Sequence, residues 1–280
     1  MGIPSLKYIN LENTEIGKYT CIEEETKQAY DQFQSHKMSA ANLFINLSNN
    51  HFENDMLIQW TWLWKKLKRL SKLEIASVTS DFGWENFEAL SDLPTLSDLS
   101  FKYSIRETLN NCRLYEFFKL KPRLNQLDLT ACGLALDDMV TLSYSLEFVS
   151  KMRRLTLNSN PKIGDQGVKL LNNVIEKRKI DILDISDCQL VHLSIYLKWT
   201  GYLKQINMTK NPKLSFATRE EEMAIENQLC NSHLDTLMAM IKLDNHLKLN
   251  LSSKIQSMIS LSYQPSLGHL AVNSPFDDDD

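Results

Sequence analysis

The sequence predicts an α/β solenoid: short strands and outer helices alternate and stack into a right-handed horseshoe whose parallel sheet lines the concave side. Three observations predict it. First, Leu124-Asn125-Gln126-Leu127-Asp128-Leu129-Thr130-Ala131-Cys132-Gly133-Leu134 has apolar residues at its first, fourth, sixth and eleventh places and Cys132 at its ninth. Second, the frame returns at Met152, Leu155, Leu157, Asn160 and Ile163, then at Ile180, Leu183, Ile185, Cys188 and Leu190, so that Leu127, Leu155 and Leu183 stand 28 residues apart. A period of this length marks units that bury their apolar face only against their neighbours. Third, helical spacing follows each strand pattern, and strands joined through helices must run parallel with right-handed crossovers. Helices are wider than the roughly 4.8 Å between strands, so stacking bends the array with the sheet inside.

The frame can be followed along the chain. Leu6, Ile9, Leu11, Thr14 and Ile16 already fit it, which leaves little room for an N-terminal cap. Either the cap is absent or this chain is a piece of a longer protein, and the second expectation is preferred. A first outer helix is expected over 22–38, with Ile22, Ala29, Tyr30 and Phe33 inward. The second unit is Asn42, Ile45, Leu47, Asn50 and Phe52, polar at its first place, and its helix runs over about 54–69. On that helix Trp60, Trp64 and Leu67 share one face with Met56, Leu63 and Leu70 beside them, while Ile58 and Trp62 project elsewhere. The third unit (Leu70, Leu73, Ile75, Val78) precedes a helix near 85–92. The fourth (Leu96, Leu99, Phe101, Ser104) precedes one around 107–120, stopped by Pro122.

In the sixth unit the Asn160 amide is suited to backbone groups that the turning chain leaves unpaired. Gly164 supports a tight turn, and Asp165 is expected to cap a helix starting near Gln166. The eighth unit, Leu203, Ile206, Met208, Asn211, Pro212 and Leu214, follows the seventh after 23 residues, so the helix between them, around 191–200, should be short. Thr218 and Glu221 have capping-box spacing ahead of a long helix over about 219–243. His246-Leu247-Lys248-Leu249-Asn250-Leu251 alternates like one more strand, and 255–261 reads as a closing turn or short helix. The expected organisation is one solenoid of about eight or nine repeats over 1–272, with 215–272 as its C-terminal cap, and a disordered acidic tail over 273–280 ending in four aspartates.

Composition excludes several function classes. At 280 residues and 43% hydrophobic content a continuous core is affordable, and intrinsic disorder is not expected. A formal charge of −4 with pI near 5.9 argues against broad nucleic-acid binding. No apolar run reaches the roughly 18 residues of a membrane span, and the N-terminus lacks a secretory pattern, so no membrane role is expected. Five cysteines is an odd count without paired spacing. Reduced, structural thiols at Cys132 and Cys188 suit a cytoplasmic or nuclear protein. The sequons at Asn46, Asn207 and Asn250 fall inside expected strands, a poor place for a glycan, and point the same way.

Residues 6 to about 214 resemble the leucine-rich-repeat superfamily, most specifically over 124–214. The 28-residue spacing and the stretch from Leu155 to Gly167 resemble the ribonuclease-inhibitor type, whereas Cys132 and Cys188 resemble the cysteine-containing repeats of F-box substrate receptors. Asn42, Val78 and Ser104 depart from the consensus. The resemblance implies a right-handed leucine-rich-repeat solenoid whose inner face binds another protein.

Strand residues between the apolar positions face the concave surface. At the fifth place of successive units stand Asn10, Asn46, Glu74, Ser100, Asp128, Thr156, Asp184, Asn207 and Asn250. Asp181 and Asp187 flank Asp184 in the same strand, Arg153 and Arg154 stand one unit away, and Tyr8, Phe44 and Tyr103 add aromatic rings towards the N-terminal half. Tyr8, Phe44, Glu74, Tyr103, Asp128, Arg153, Arg154, Asp181, Asp184 and Asp187 are therefore the expected partner-binding residues, suited to a protein or peptide with a basic segment. The competing reading is a merely solvated sheet face. Ile58 and Trp62 are a candidate second contact or self-association patch, against packing under the first units. The terminal aspartates could engage a basic partner or simply solvate the chain end.

No catalytic constellation is evident: Cys230 and His233 stand three apart on an expected helix with nothing nearby to orient them. Six scattered histidines include no pair at metal spacing, and no Gly-rich phosphate loop occurs, so neither metal nor cofactor is expected. Asp137-Asp138 at a helix start is explained by the dipole. The chain is thus expected to be a non-enzymatic interaction module, its oligomeric state open. The alternative is a substrate-receptor subunit of a ubiquitin ligase, for which an F-box or a separate adaptor would have to be supplied from outside these residues.

Overall fold

The computed structural model describes residues 7–14, 43–50, 70–76, 88, 90–91, 93, 95–104, 113–121, 123–177, 180–192, 194–197, 199, 202–215 and 241–242. Within them each repeat contributes one short strand: β1 (Tyr8–Asn10), β2 (Leu43–Asn46), β3 (Leu70–Glu74), β4 (Asp98–Ser100), β5 (Gln126–Asp128), β6 (Arg154–Thr156), β7 (Ile182–Asp184), β8 (Gln205–Asn207) and β9 (Ile241–Lys242). They form one sheet in which spatial order equals sequence order and every pair is parallel. A three-residue strand has one inward side chain between two outward ones. The inward residues stack in register, Leu99 on Leu127, Leu127 on Leu155, Leu155 on Leu183 and Leu183 on Ile206, and all are buried.

The described helices are α1 (Leu114–Leu120), α2 (Leu136–Leu146), α3 (Gly164–Lys169), α4 (Asn172–Glu176) and α5 (Ser194–Leu197). Phe117, Met139, Leu142, Val168 and Val174 join the strand ladders in one continuous core. The architecture is an α/β solenoid: stacked strand and helix repeats on one parallel sheet. The expected short helix between the seventh and eighth units is the four-residue α5. Tyr196 and Trp199 are fully buried there, their rings edge to face at 5.4 Å.

Strands that close on an Asn or Asp end in the same reversal. The side-chain oxygen of the last outward residue accepts the backbone N–H two residues on: Asn46 from Ser48 at 3.0 Å, Asp128 from Thr130 at 3.0 Å, Asp184 from Ser186 at 3.0 Å and Asn207 from Thr209 at 3.3 Å. Such local bonds are the means by which Asx residues turn a chain. Three residues beyond that position the backbone is left-handed, at Asn13, Asn49, Tyr103, Ala131, Ser159, Asp187 and Lys210.

The next residue inserts into the turn and donates to a carbonyl of the preceding unit. Asn50 reaches Leu11 O at 2.7 Å, Ser104 reaches Ile75 O at 2.5 Å, and Cys132 reaches Phe101 O at 3.1 Å. Asn160 reaches Leu129 O at 2.9 Å, Cys188 reaches Leu157 O at 3.2 Å, and Asn211 reaches Ile185 O at 3.1 Å. Serine, cysteine and asparagine alternate here because each supplies a short donor to the same buried acceptor. Asparagine alone also accepts, from Leu134 N in one turn and from Cys188 N and Leu190 N in another.

Among the left-handed residues Ala131, at φ +53, has no side chain able to compensate its backbone. The conformation costs an L-residue roughly 1–2 kcal/mol, against ~0.4–1 kcal/mol of added unfolded-chain entropy for glycine. Ala131→Gly should therefore raise stability by about 0.5–1 kcal/mol, seen as a higher urea midpoint. An unchanged or lowered midpoint would mean that the turn carries no strain.

Three expectations require correction. The first place of the second unit is filled by buried Leu43 rather than Asn42: it pairs with Leu70, and the register shifts before Phe44 pairs with Lys72. That irregularity lets the core keep an apolar residue where the frame offered a polar one. The ninth strand lies at Ile241–Lys242, inside the span expected as a long helix, because buried Ile241 continues the inward ladder beside Ile206. Residues 246–251, expected to form that strand, lie outside the described residues. Asp165 does not cap a helix start: α3 begins at Gly164, which takes φ +56, and the Asp165 side chain turns to the following unit.

Candidate functional site

The open face of the sheet is built from two columns, one on each side of the buried ladder. The first runs Tyr8, Phe44, Lys72, Asp98, Gln126, Arg154, Ile182, Gln205. The second runs Asn10, Asn46, Glu74, Ser100, Asp128, Thr156, Asp184, Asn207, Lys242. Parallel pairing in register aligns them, so residues far apart in sequence become neighbours about 4.8 Å apart. Lys242, not Asn250, stands at the end of the second column.

At the N-terminal end the rings of Tyr8 and Phe44 lie 4.6 Å apart. Lys72 places its ammonium 4.1 Å above the Phe44 ring and 3.0 Å from the Glu74 carboxylate. A cation over an aromatic face beside a carboxylate is held by the ring quadrupole as well as by charge. Tyr8 itself is 47% exposed, so half of this aromatic corner faces solvent.

Towards the middle the expected binding carboxylates already have work to do. Asp128 accepts from Thr130 N and, at 2.7 Å, from Thr130 Oγ1, while its other oxygen meets Lys102 Nζ at 3.3 Å. Asp184 accepts from Ser186 N and Oγ, and its second oxygen accepts from Asn207 Nδ2 at 2.9 Å. Both carboxylates therefore close turns as well as facing outward. Arg154, the first residue of β6, is exposed and has no ion pair among the described residues.

Four expected strand positions lie off the strands. Arg153 and Asp181 precede β6 and β7 and bridge to each other at 3.3 Å, and Asp181 also meets Lys204 at 3.1 Å. These make a charged rail along one edge of the sheet. Tyr103 and Asp187 occupy the left-handed turns at the other edge. The physical reason is strand length: the outward side chain that closes each turn ends the strand one residue beyond the inward position. Ile58, Trp62, Cys230, His233 and the terminal aspartates lie outside the described residues.

The expected set held Tyr8, Phe44 and Arg154 of the first column but missed Lys72, Asp98 and Gln126 between them. The signal was available, since both residues flanking an inward apolar one must face outward. It also missed the part played by Asp165, which accepts from Val191 N at 3.1 Å, His192 N at 3.1 Å, His192 Nδ1 at 2.6 Å and the Tyr196 hydroxyl. It braces one repeat against the next. Burial, and then this carboxylate, hold the Tyr196 phenol protonated well beyond the usual range. Cys132 and Cys188 are buried free thiols, and burial pushes Cys188 up to about 12, which leaves it a neutral donor rather than a nucleophile. On the outer layer Leu136, Val140 and Tyr144 form an exposed stripe along α2.

Among the described residues no group of three or more His, Cys, Asp or Glu is placed to hold a metal ion, and no helix is long and apolar enough to cross a membrane. What the open face offers chemically is a row of aromatic, cationic, anionic and amide groups at fixed spacing.

No family model matches the chain, and no curated protein matches it. Among solved structures it is similar to a protein of Bacteroides fragilis, at 11% identity and TM-score 0.43 over 84% of this chain and 71% of the other. It is similar to a chain of the mouse RP105/MD-1 complex at 18% identity and TM-score 0.35, over 86% of this chain and 50% of the other. A chain of the Rad7 and Elc1 complex of yeast gives 13% identity and TM-score 0.34, over 80% and 66%. The chain thus spans half the length of the mouse chain it matches.

Proposed function

We propose that this protein is a non-enzymatic interaction module that holds a segment of a partner protein against the open face of its sheet. The observation that carries the reading is the pair of outward columns in register over successive strands, with the Tyr8–Phe44 corner at one end and exposed Arg154 towards the other. A face built on short hydrogen-bonded strands is ordered before binding, so little conformational entropy is lost when a partner docks. Aromatic residues and arginine are the side chains that most often dominate such contacts.

A cytoplasmic or nuclear setting belongs to the same proposal and is supported by the buried free thiols Cys132 and Cys188. The 28-residue unit and the Asn160 turn support the ribonuclease-inhibitor subtype. The cysteines are explained by their turn bonds, the same job that Asn160 and Asn211 do, so they give the ubiquitin-ligase alternative no separate support.

The test is a peptide array probed with the purified protein and with Phe44→Ala and Arg154→Glu variants. Peptides that bind the parent are expected to lose at least about tenfold affinity with each variant, since a hot-spot truncation removes 1.4 kcal/mol or more. Retention of binding by both variants would remove the open face from the function.

A further inference from the structure

Among the described residues, two polar atoms at the centre of the open face have no partner. Asp98 Oδ1 and Ser100 Oγ, both on β4, are buried and make no hydrogen bond there. Ser100 is 6% exposed. Leu99 between them points into the core, so both side chains project to the open face, roughly 6.7 Å apart along the strand. Serine is short, and its cross-strand neighbours in register are the longer Glu74 and Asp128. The hydroxyl therefore lies at the floor of a dip walled by carboxylates.

The surrounding charges are unevenly matched. Glu74 is paired with Lys72 at 3.0 Å and Asp128 with Lys102 at 3.3 Å. Asp98 receives only the Ser97 hydroxyl, at 2.8 Å on Oδ2, and has no cation among the described residues. Buried polar groups are normally satisfied, and an orphaned acceptor beside an orphaned hydroxyl is the pattern left when a donor-rich group is missing. Both lysines are 42% exposed in side-chain terms and such surface ion pairs are weak; among the described residues Lys102 is held by its pair alone, and Lys72 also by the Phe44 ring.

We propose that β4 is the seat for an arginine side chain of the partner segment, its guanidinium donating to Asp98 Oδ1 and Ser100 Oγ between Glu74 and Asp128. This rests on the open-face reading and deepens it, because it names the chemistry that the partner brings. A guanidinium fits better than an ammonium: its planar fork directs N–H groups two ways at once, whereas a lysine is a single point of charge. Lys72 and Lys102 move towards solvent as the guanidinium enters.

The experiment uses a fluorescein-labelled peptide, Gly-Ser-Arg-Gly-Ser-Arg-Gly, with lysine and citrulline versions, titrated against the whole chain at low salt. The arginine peptide is expected to bind at least tenfold more tightly than either other. Asp98→Asn, which keeps size and removes charge, should abolish that preference, as should Ser100→Val, which fills the dip. Asp137→Asn, exposed in the first turn of α2, should leave it intact. Equal binding of the arginine and citrulline peptides, or of the parent and Asp98→Asn, overturns the seat and assigns the orphaned atoms to bound water. Equal binding of arginine and lysine removes the guanidinium. If array peptides still respond to Phe44→Ala and Arg154→Glu while Asp98→Asn changes nothing, the seat fails alone. If none of the four variants matters, the open-face reading fails with it.

Discussion

Asn160→Ala is expected to lower stability by about 3–5 kcal/mol, because two buried groups lose their partners at ~1–3 kcal/mol each and packing is lost besides. Asn160 is fully buried, and its Nδ2 donates to Leu129 O at 2.9 Å while Oδ1 accepts from Leu134 N at 3.1 Å. Its bonds to Leu157 O at 2.7 Å and Asn158 O at 3.2 Å are less critical: Leu157 O also accepts from Cys188, and Asn158 O from Ala131 N. Alanine can supply none of these. Cys132→Ala, at the equivalent place one unit earlier, removes weak thiol donors and should cost only about 1 kcal/mol. Urea unfolding followed by circular dichroism and by tryptophan fluorescence checks both. Nearly equal losses for the two variants would show that the asparagine's accepting side contributes nothing. Because each unit touches only its neighbours, the Asn160 variant should also weaken the junction of the fifth and sixth units first, separating the two probes.

Leu155→Ala should cost ~2–5 kcal/mol, the range for truncating a buried leucine. Its side chain is fully buried in the inward ladder between Leu127 and Leu183, so one deletion loosens two interfaces. Ile9→Ala, in the terminal strand, has a ladder neighbour on one side among the described residues and is only partly buried. Its loss should be less than half as large. The comparison is made by thermal unfolding at one protein concentration. Equal shifts for the two positions would contradict a core assembled from successive nearest-neighbour contacts.

How much of this could be seen in the chain alone varies with the kind of interaction. Leu127, Leu155 and Leu183 announced their stacking because an inward position tolerates little but apolar bulk, and a fixed period repeats it. The turn residues Asn160, Asn211 and Cys188 were legible for a related reason: one small donor is needed at one place per unit. The candidate site was harder to see. Asp128 and Asp184 look free in a sequence, yet each closes its own turn, and nothing in the spacing tells whether a carboxylate faces outward idle or bonded. Asp98 and Ser100 become neighbours of Glu74 and Asp128 only through cross-strand register. Leu43 displaced Asn42 because a register shift of one residue costs the sheet less than a polar group in the core.

Periodicity in the sequence was enough for the repeat, the parallel order of the strands and most of the inward ladder, because it dictates which face of each unit avoids water; Leu43 and Ile241 entered the core through register instead. Tertiary structure alone decided which outward side chains remain available, since that depends on neighbours a whole repeat away. Asp165 illustrates the division: its chemistry suits a helix start, yet four donors from the following unit claim it, and contacts across units outbid a local preference whenever they satisfy more buried groups.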